Sequence, residues 1–503
     1  MVCSPTKPAV YRPRRPRESP LYRTIERYLP EFERIYARRY ARRYGPWRPI
    51  IGQVARRLLR CGDPHLGFAR VRCPDCRHEM FVPFSCRHRC LCPSCHQKRT
   101  LLAADNIAHT VCAPVPHRQL VFTIPKRLRI YCRYDRSLLG GLARAAWLTV
   151  AEVYRQVLGR DDVIPGMVAG IQTFGQLIHC HPHIHAIVTD GAFTPDGTFL
   201  CLPKIDNGLL LATWQTKVVE LLLAAGKIEQ QTVDEMRTWP HSGFSVDNSV
   251  YLPAHDTAAL QRLAQYILRC PFSLARVVRL TNDGSVIYRA EQQRCRRLPG
   301  PASADLRSGP KRNFQIFSAL DFLAEVTQHV PDKGEHLVRG HRPKVGLGWY
   351  SYRQRGIRAR ARQAGAAEAE TVQIDRSAMS SQQTQRSGPR PGSVSTWAML
   401  IKRVYEVDPL ECPHCGGQMK IISFIERNQQ EVIERILRHC GLWEGPLRTL
   451  ATARAPPLAR TPSPAAPGEL ELVPDGEFWE HQRRENHENQ LGDLQLVLDP
   501  EFL

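Results

Sequence analysis

The chain has 503 residues, 43% of them hydrophobic, enough for folded cores and too many for a single one, so about three domains are expected. No run of about 18 apolar residues occurs, which excludes an apolar membrane-spanning helix. The formal net charge of +22 favours a polyanionic partner, most simply nucleic acid, over a merely solvated surface.

The charge is uneven. Residues 1–60 carry 16 Lys and Arg against 4 Glu, and residues 451–503 carry 4 Arg against 10 acids. Residues 1–20 are rich in Pro and Arg and are expected to form a disordered basic arm, with no apolar segment behind their charges of the kind a secretory signal has. A cytoplasmic location is therefore expected. From Leu21 the pattern turns helical, opening a helical and zinc-binding N-terminal domain over 21–110. Tyr36, Tyr40 and Tyr44 recur every four residues between Arg pairs. Such a stripe either stacks on bases or packs on a core with its arginines in solvent.

Of seventeen cysteines, seven lie between Cys61 and Cys95, and their CxxC spacing favours metal over disulfides. Cys73-x2-Cys76 and Cys92-x2-Cys95 are separated as the two knuckles of a zinc ribbon, so these four thiolates are expected to hold one structural Zn²⁺. Cys61, Cys86, Cys90, His88 and His96 are then surplus, as ligands of a second site or, for Cys61 above all, as a small buried hydrophobe. The flanking Arg70, Arg72, Arg77, Arg87, Arg89, Lys98 and Arg99 offer charge to phosphates.

Next, HRQLVFTIPKRL from His117 alternates as a strand, and LLGGLARAAWLTVAEVYRQVLG has helical periodicity. MVAGIQTFGQL and HPHIHAIVTDGAF read as neighbouring strands, with Asp190-Gly191 as a turn. DTAALQRLAQYILRC reads as a helix with Asp256 as N-cap and Pro271 marking its end, and VVRLTNDGSVIYR as a hairpin. A flexible linker is expected over 353–395, a small unit carrying Cys412 and Cys415 over 396–448, and a disordered acidic tail over 449–503. Nearby candidates to complete that last cysteine pair are His414, His439 and Cys440.

The chemistry concentrates in HCHPHIH, residues 179–185. Alternate residues of a strand share a face, so His183 and His185 can point together while Ile184, Ala186 and Val188 line the opposite face. Neutral imidazole is a common ligand for divalent metals, and two histidines plus one further group leave positions open for phosphate oxygens. His181, Gln265 and Gln261 are candidates for the third ligand. Pro182 should disturb the strand ahead of His183, which makes His179 and His181 structural or outer-sphere. A nucleophile is still needed. Tyr266, mid-helix with Arg262 before it and Arg269 after it, could attack a DNA phosphate and hold the 5′ end covalently, the two guanidiniums clamping that phosphate.

HPHIH followed by AIVTDGAF, with LAQYILRCPFSLARV downstream, resembles the His-hydrophobic-His (HUH) endonucleases. QLVFTIPKRLR is similar to the first motif of rolling-circle initiators. FVPFSCRHRCLCPSC, VTQHVPDKGEHLVRG, GWYSYRQRG and LECPHCGGQMKIISFI resemble, in that order, stretches of the transposases of insertion-sequence family ninety-one, in particular its common-region branch. The resemblance spans roughly residues 20–445. It implies an α+β fold: an HUH-endonuclease core, a central antiparallel sheet with the histidine strand in its middle and flanking helices, behind a zinc-ribbon-like N-terminal domain. The catalytic domain would cover 111–290 and its C-terminal part 291–352. It further implies Tyr266 as nucleophile, His183 and His185 as ligands of catalytic Mg²⁺ or Mn²⁺, and Cys73, Cys76, Cys92 and Cys95 as zinc ligands. The implied activity is a metal-dependent, rolling-circle strand transfer that nicks and rejoins single-stranded or hairpin DNA at transposon ends and in target DNA, without a membrane; a homo-oligomer is left open. Many members carry two tyrosines four residues apart on this helix, whereas position 262 here is Arg, so a single-tyrosine enzyme is expected. HRPKVGL, residues 341–347, is additional to the usual spacing. The alternatives are a plasmid replication initiator or relaxase, and a zinc-dependent DNA-binding regulator without chemistry.

Overall fold

The computed structural model describes residues 16–88, 90–175, 177–203, 205–290, 296–297, 311–339 and 409–443. The expected linker, the acidic tail, HRPKVGL and most of the basic arm lie outside the described residues. No described helix is long and apolar enough to cross a membrane.

The chain opens with α1 (Pro20–Arg39), capped by the Ser19 hydroxyl, which accepts from the Tyr22 N–H. Its apolar face, with α2 (Pro49–Leu58), packs on α7 (Ala319–Thr327) and on the three-stranded sheet of β7 (Val277–Leu280), β8 (Ser285–Arg289) and β9 (Phe314–Ser318). The tyrosine stripe belongs to this core. Tyr36, Tyr40 and Tyr44 are all buried, while Arg38, Arg39, Arg42 and Arg43 point to solvent. The Tyr40 hydroxyl donates to Asp321 at 2.7 Å and that of Tyr44 to Glu325 at 2.8 Å. These rings therefore tie α1 and the residues just after it to α7 and are closed to bases. Because Glu325 is buried, Tyr44→Phe is expected to lower stability by about 1–3 kcal/mol while leaving DNA affinity unchanged, as thermal melting and gel-shift titration would measure.

The central sheet is antiparallel and six-stranded, in the order β10 (Val338–Arg339), β4 (Ile164–Phe174), β5 (Cys180–Phe193), β3 (His117–Thr123), β6 (Ser245–Leu252), with Phe199–Cys201 pairing β5 off that path. One face meets α4 (Ser137–Leu158) and α5 (Asn207–Ala224) through a large apolar core holding Phe122, Tyr154, Ile184, Ala186, Val188 and Trp214. On the opposite face lie α3 (Pro93–Asn106) and α6 (Thr257–Ile267), packed on Val168, Ile187 and Leu252. The histidine strand is thus the middle of a sheet covered on both sides.

Two local expectations change. Asp190-Gly191 is no turn: β5 continues through it to Phe193, Asp190 forms an ion pair with Arg118, and a Cβ at Gly191 would lie 2.2 Å from the Leu200 carbonyl. The glycine there serves close approach of a neighbouring strand. Pro182 does not interrupt β5 either. Opposite β4 the register slips, with Phe174 facing Cys180 and Gln172 facing His183, and the β3 ladder ends at Thr123 and His183. The proline occupies a bulge where its missing N–H is not needed.

A smaller antiparallel sheet joins the hairpin β1 (Gly67–Arg72) and β2 (Glu79–Pro83) to β11 (Lys420–Glu426), in the order β11, β1, β2. Helix α8 (Gln430–His439) closes its core with Phe68, Ile425, Ile433 and Leu437. The expected C-terminal unit therefore contributes a strand to the N-terminal module.

Candidate active site

His183 and His185 project from the first half of β5 toward α6, and both are buried. The His183 Nδ1–H donates to the His181 carbonyl at 2.7 Å, which leaves the Nε2 lone pair free of the ring proton. That Nε2 lies 3.0 Å from Nε2 of His185. Two nitrogens bound at right angles to one cation at about 2.1 Å lie about 3.0 Å apart, so the spacing suits a shared divalent ion. Burial pushes the His183 pKa down to about 4 and that of His185 well below the usual value. Both rings are therefore neutral near pH 7, as metal ligation requires.

Gln119, not singled out in the sequence, stands on β3 with its amide nitrogen 2.9 Å from His185 Nδ1. In that orientation it donates to Nδ1 and the proton sits on Nε2. With the amide rotated, its carbonyl accepts from Nδ1–H and frees Nε2 for a metal. The two orientations of this amide thus correspond to the two tautomers of His185.

Helix α6 carries the tyrosine. Asp256 caps it as expected, accepting from the Ala259 N–H at 2.9 Å, but the helix ends at Ile267, so Tyr266 stands in its last turn rather than at mid-helix. Three carbonyls at this end are taken by side chains. Gln172 Nε2 donates to Tyr266 O at 3.2 Å and Ile267 O at 2.9 Å, while His96 Nε2–H and the Thr100 hydroxyl both donate to Leu268 O at 2.8 Å. The helix also sits close to the sheet: a Cβ at Gly170, directly across from His185 on β4, would fall 2.3 Å from Ile267 Cγ2. That glycine lets the last turn of α6 settle beside the histidines.

The half-buried Tyr266 ring consequently meets His185 edge-on, centroids 5.5 Å apart at 89°. The Arg269 guanidinium carbon lies 4.6 Å from the Tyr266 ring centroid and 5.5 Å from that of Phe174. Arg262, one turn earlier, is exposed. Among the three candidates for a third ligand, Gln261 turns to Asp105 at 3.4 Å, and the His181 ring lies 4.8 Å from that of His183; for Gln265 only its half-buried position on α6 is defined. A further group is Gln172, directly across from His183. Its nitrogen is committed to the helix end, and its buried Oε1 has no hydrogen-bond partner among the described residues.

The four expected zinc thiols are not brought together. Cys73 and Cys76 occupy the turn between β1 and β2, whereas Cys61 and Cys86 flank the open end of that hairpin. Strands of five or six residues span roughly 17–20 Å, so the two ends need separate ions. One cluster is Cys61, Cys86, Cys92 and Cys95, the other Cys73, Cys76, Cys412 and Cys415. In the first, Cys61 Sγ lies 3.7 Å from Cys92 Sγ and 3.8 Å from Cys95 Sγ, and Cys86 Sγ is 3.5 Å from Cys95 Sγ. Tetrahedral thiolates about 2.3 Å from zinc sit about 3.8 Å apart, so this set fits structural zinc. Cys61 is a member rather than a core filler. Cys90 and His96 stay outside; the Cys90 N–H donates to His96 Nδ1 at 2.9 Å. His88 turns to Arg57.

Two regions of the chain are similar to known families. Residues 32–124 match the family model described as "Transposase zinc-binding domain", and residues 166–355 the one described as "Putative transposase". Over 335 residues the chain is 30% identical to "Putative transposase y4qJ" of Sinorhizobium fredii, covering 62% of this chain and 79% of that one. Over 312 residues it is 24% identical to "Transposase for insertion sequence element IS801" of Pseudomonas savastanoi pv. phaseolicola, covering 59% and 70% respectively. No solved structure matches it.

Proposed function

The chain belongs to the IS91 family of transposases, and from that premise we propose that it nicks and rejoins single-stranded transposon ends through a phosphotyrosine on Tyr266. The observation that carries this reading is the Tyr266 ring standing edge-on to His185, beside two buried imidazoles whose Nε2 atoms are 3.0 Å apart. A replication initiator or relaxase, or a zinc-dependent regulator without chemistry, would leave the family match unexplained.

His183 and His185 would hold Mg²⁺ or Mn²⁺, with Gln172 Oε1 as third protein ligand. Such an ion, when bound, would polarise the scissile phosphate and offset charge on the departing oxygen. Arg269, already over the ring, donates its N–H groups to phosphate oxygens, and the exposed Arg262 takes the strand on its approach. The Tyr266 phenolic oxygen attacks phosphorus, the bond to the 3′ oxygen breaks, and the phenolic proton leaves as the 3′ oxygen becomes a hydroxyl. A 3′-hydroxyl at the junction then attacks the phosphotyrosine, and the phenol regains its proton. Position 262, one turn before Tyr266, is Arg, so this step uses a single tyrosine of that helix.

The test is mass spectrometry of the Tyr266 peptide after incubation with Mn²⁺ and single-stranded oligonucleotides spanning the element's own termini. A nucleotide-modified Tyr266, with no adduct in Tyr266→Phe, is expected. An adduct on another residue, or one that persists in Tyr266→Phe, would overturn the assignment.

A further inference from the structure

Residues 409–443 lie beyond both family-model matches, yet they carry half of a tetrathiolate cluster. Cys73 Sγ is 3.5 Å from Cys415 Sγ, and Cys76 Sγ is 3.5 Å from Cys412 Sγ. All four sulfurs fall within 4.8 Å of one another. The two contributing loops, Cys73-Pro-Asp-Cys76 and Cys412-Pro-His-Cys415, have the same construction. In the first, Arg77 N–H donates to Cys73 O and Cys73 N–H to His78 O; in the second, Gly416 N–H donates to Cys412 O and Cys412 N–H to Gly417 O. The residue after the second cysteine is left-handed in both, with φ of 63° at Arg77 and 71° at Gly416. An arginine adopts that conformation only at a cost, which the turn around a pair of ligands explains. His78 stacks on His414 across the two loops, centroids 4.2 Å apart at 24°.

We propose that Cys73, Cys76, Cys412 and Cys415 hold a second structural zinc, which makes the N-terminal zinc module a composite of both ends of the chain. The chemistry is that of a closed, all-sulfur tetrahedral site. The energetics call for one. The interface it clamps has two small cores, Phe68 with Ile425, Ile433 and Leu437, and Val71 with Met419 beside the cysteines themselves. Cores of that size do not hold a segment by burial alone, and the ligands close a loop between positions 336 residues apart. The N-terminal hairpin thus has only half of its ligands until the C-terminal strand is made, and a chain truncated before residue 409 lacks this site.

Elemental analysis of the purified full chain should give two zinc ions per molecule. Cys412→Ser with Cys415→Ser should leave one, Cys73→Ser with Cys76→Ser should leave one, and all four substitutions together should still leave one, since both pairs hold the same ion. Two ions retained in either double variant, or iron in place of zinc, would overturn the proposal. A second measurement needs no variant. Cys76 and Cys415 are exposed, so iodoacetamide can reach both sulfurs once no metal covers them. In the zinc-loaded wild-type chain both should resist alkylation and become reactive together when a chelator removes the metal. Alkylation at a free-thiol rate with zinc content unchanged would be decisive against it.

Discussion

Replacing His183 and His185 together with alanine is expected to abolish nicking while leaving DNA affinity nearly unchanged. A metal acting as Lewis acid at a phosphate contributes several kcal/mol to the barrier, and each 1.36 kcal/mol is tenfold, so a loss of at least about 10³-fold is expected. Affinity should survive because it comes from another source. The two rings are buried and neutral, and attraction for the phosphate backbone comes from exposed basic side chains. Gln172→Ala should weaken Mn²⁺ binding by at least about 10-fold, since loss of even an outer-sphere partner of a metal site costs about 10–100-fold. Mn²⁺ titration, oligonucleotide cleavage and gel shift on the same preparations separate these effects. Should DNA binding collapse in the double variant while its melting temperature holds, the histidines serve recognition and the catalytic reading is wrong.

The parts legible in the sequence are those where one local pattern suffices. Period-two alternation marked β3 and β5, including the division of β5 into a histidine face and the apolar face of Ile184, Ala186 and Val188. The N-cap at Asp256 and the glycine turn between β7 and β8 were readable for the same reason. What sequence reasoning missed depends on register between distant segments. Gln172 and Gly170 matter because β4 places them directly across from His183 and His185, and Gln119 because β3 brings its amide to an imidazole. As isolated letters in strands they carry no signal. The cysteines show the same limit in another form. Two CxxC pairs at ribbon spacing invite a single site, and only the hairpin between them, with β11 alongside, separates them and supplies each pair with other partners. Pro182 and Asp190-Gly191 misled because breaker residues also mark bulges and close approaches.

The second large effect is expected far from the phosphate. Cys92→Ser should strip the zinc from the Cys61, Cys86, Cys92 and Cys95 cluster and, with it, most of the strand-cleaving activity, although Tyr266, His183 and His185 are all intact. Cys92 caps the start of α3 and Cys95 sits in its first turn, so the thiolates fix where that helix begins. From the same helix His96 and Thr100 hold the Leu268 carbonyl, and Asp105 accepts from Gln261. A zinc ion on these thiolates would therefore help set the position of α6 through α3. A structural zinc site supplies about 10–16 kcal/mol of binding free energy that is also folding free energy, so its loss unfolds the start of α3 rather than loosening it. Displacement of a reacting group by about 1 Å costs on the order of 10²-fold in rate, and a reduction of that size in phosphotyrosine yield is expected. Thr100→Val tests the linkage without touching the metal: zinc content should stay at the wild-type value while adduct yield falls several-fold, because one of two donors to Leu268 O is gone. If Cys92→Ser loses its zinc and still forms the adduct at the wild-type rate, α6 is held by the sheet and Gln172 alone, and the thiolate cluster has no part in placing the nucleophile.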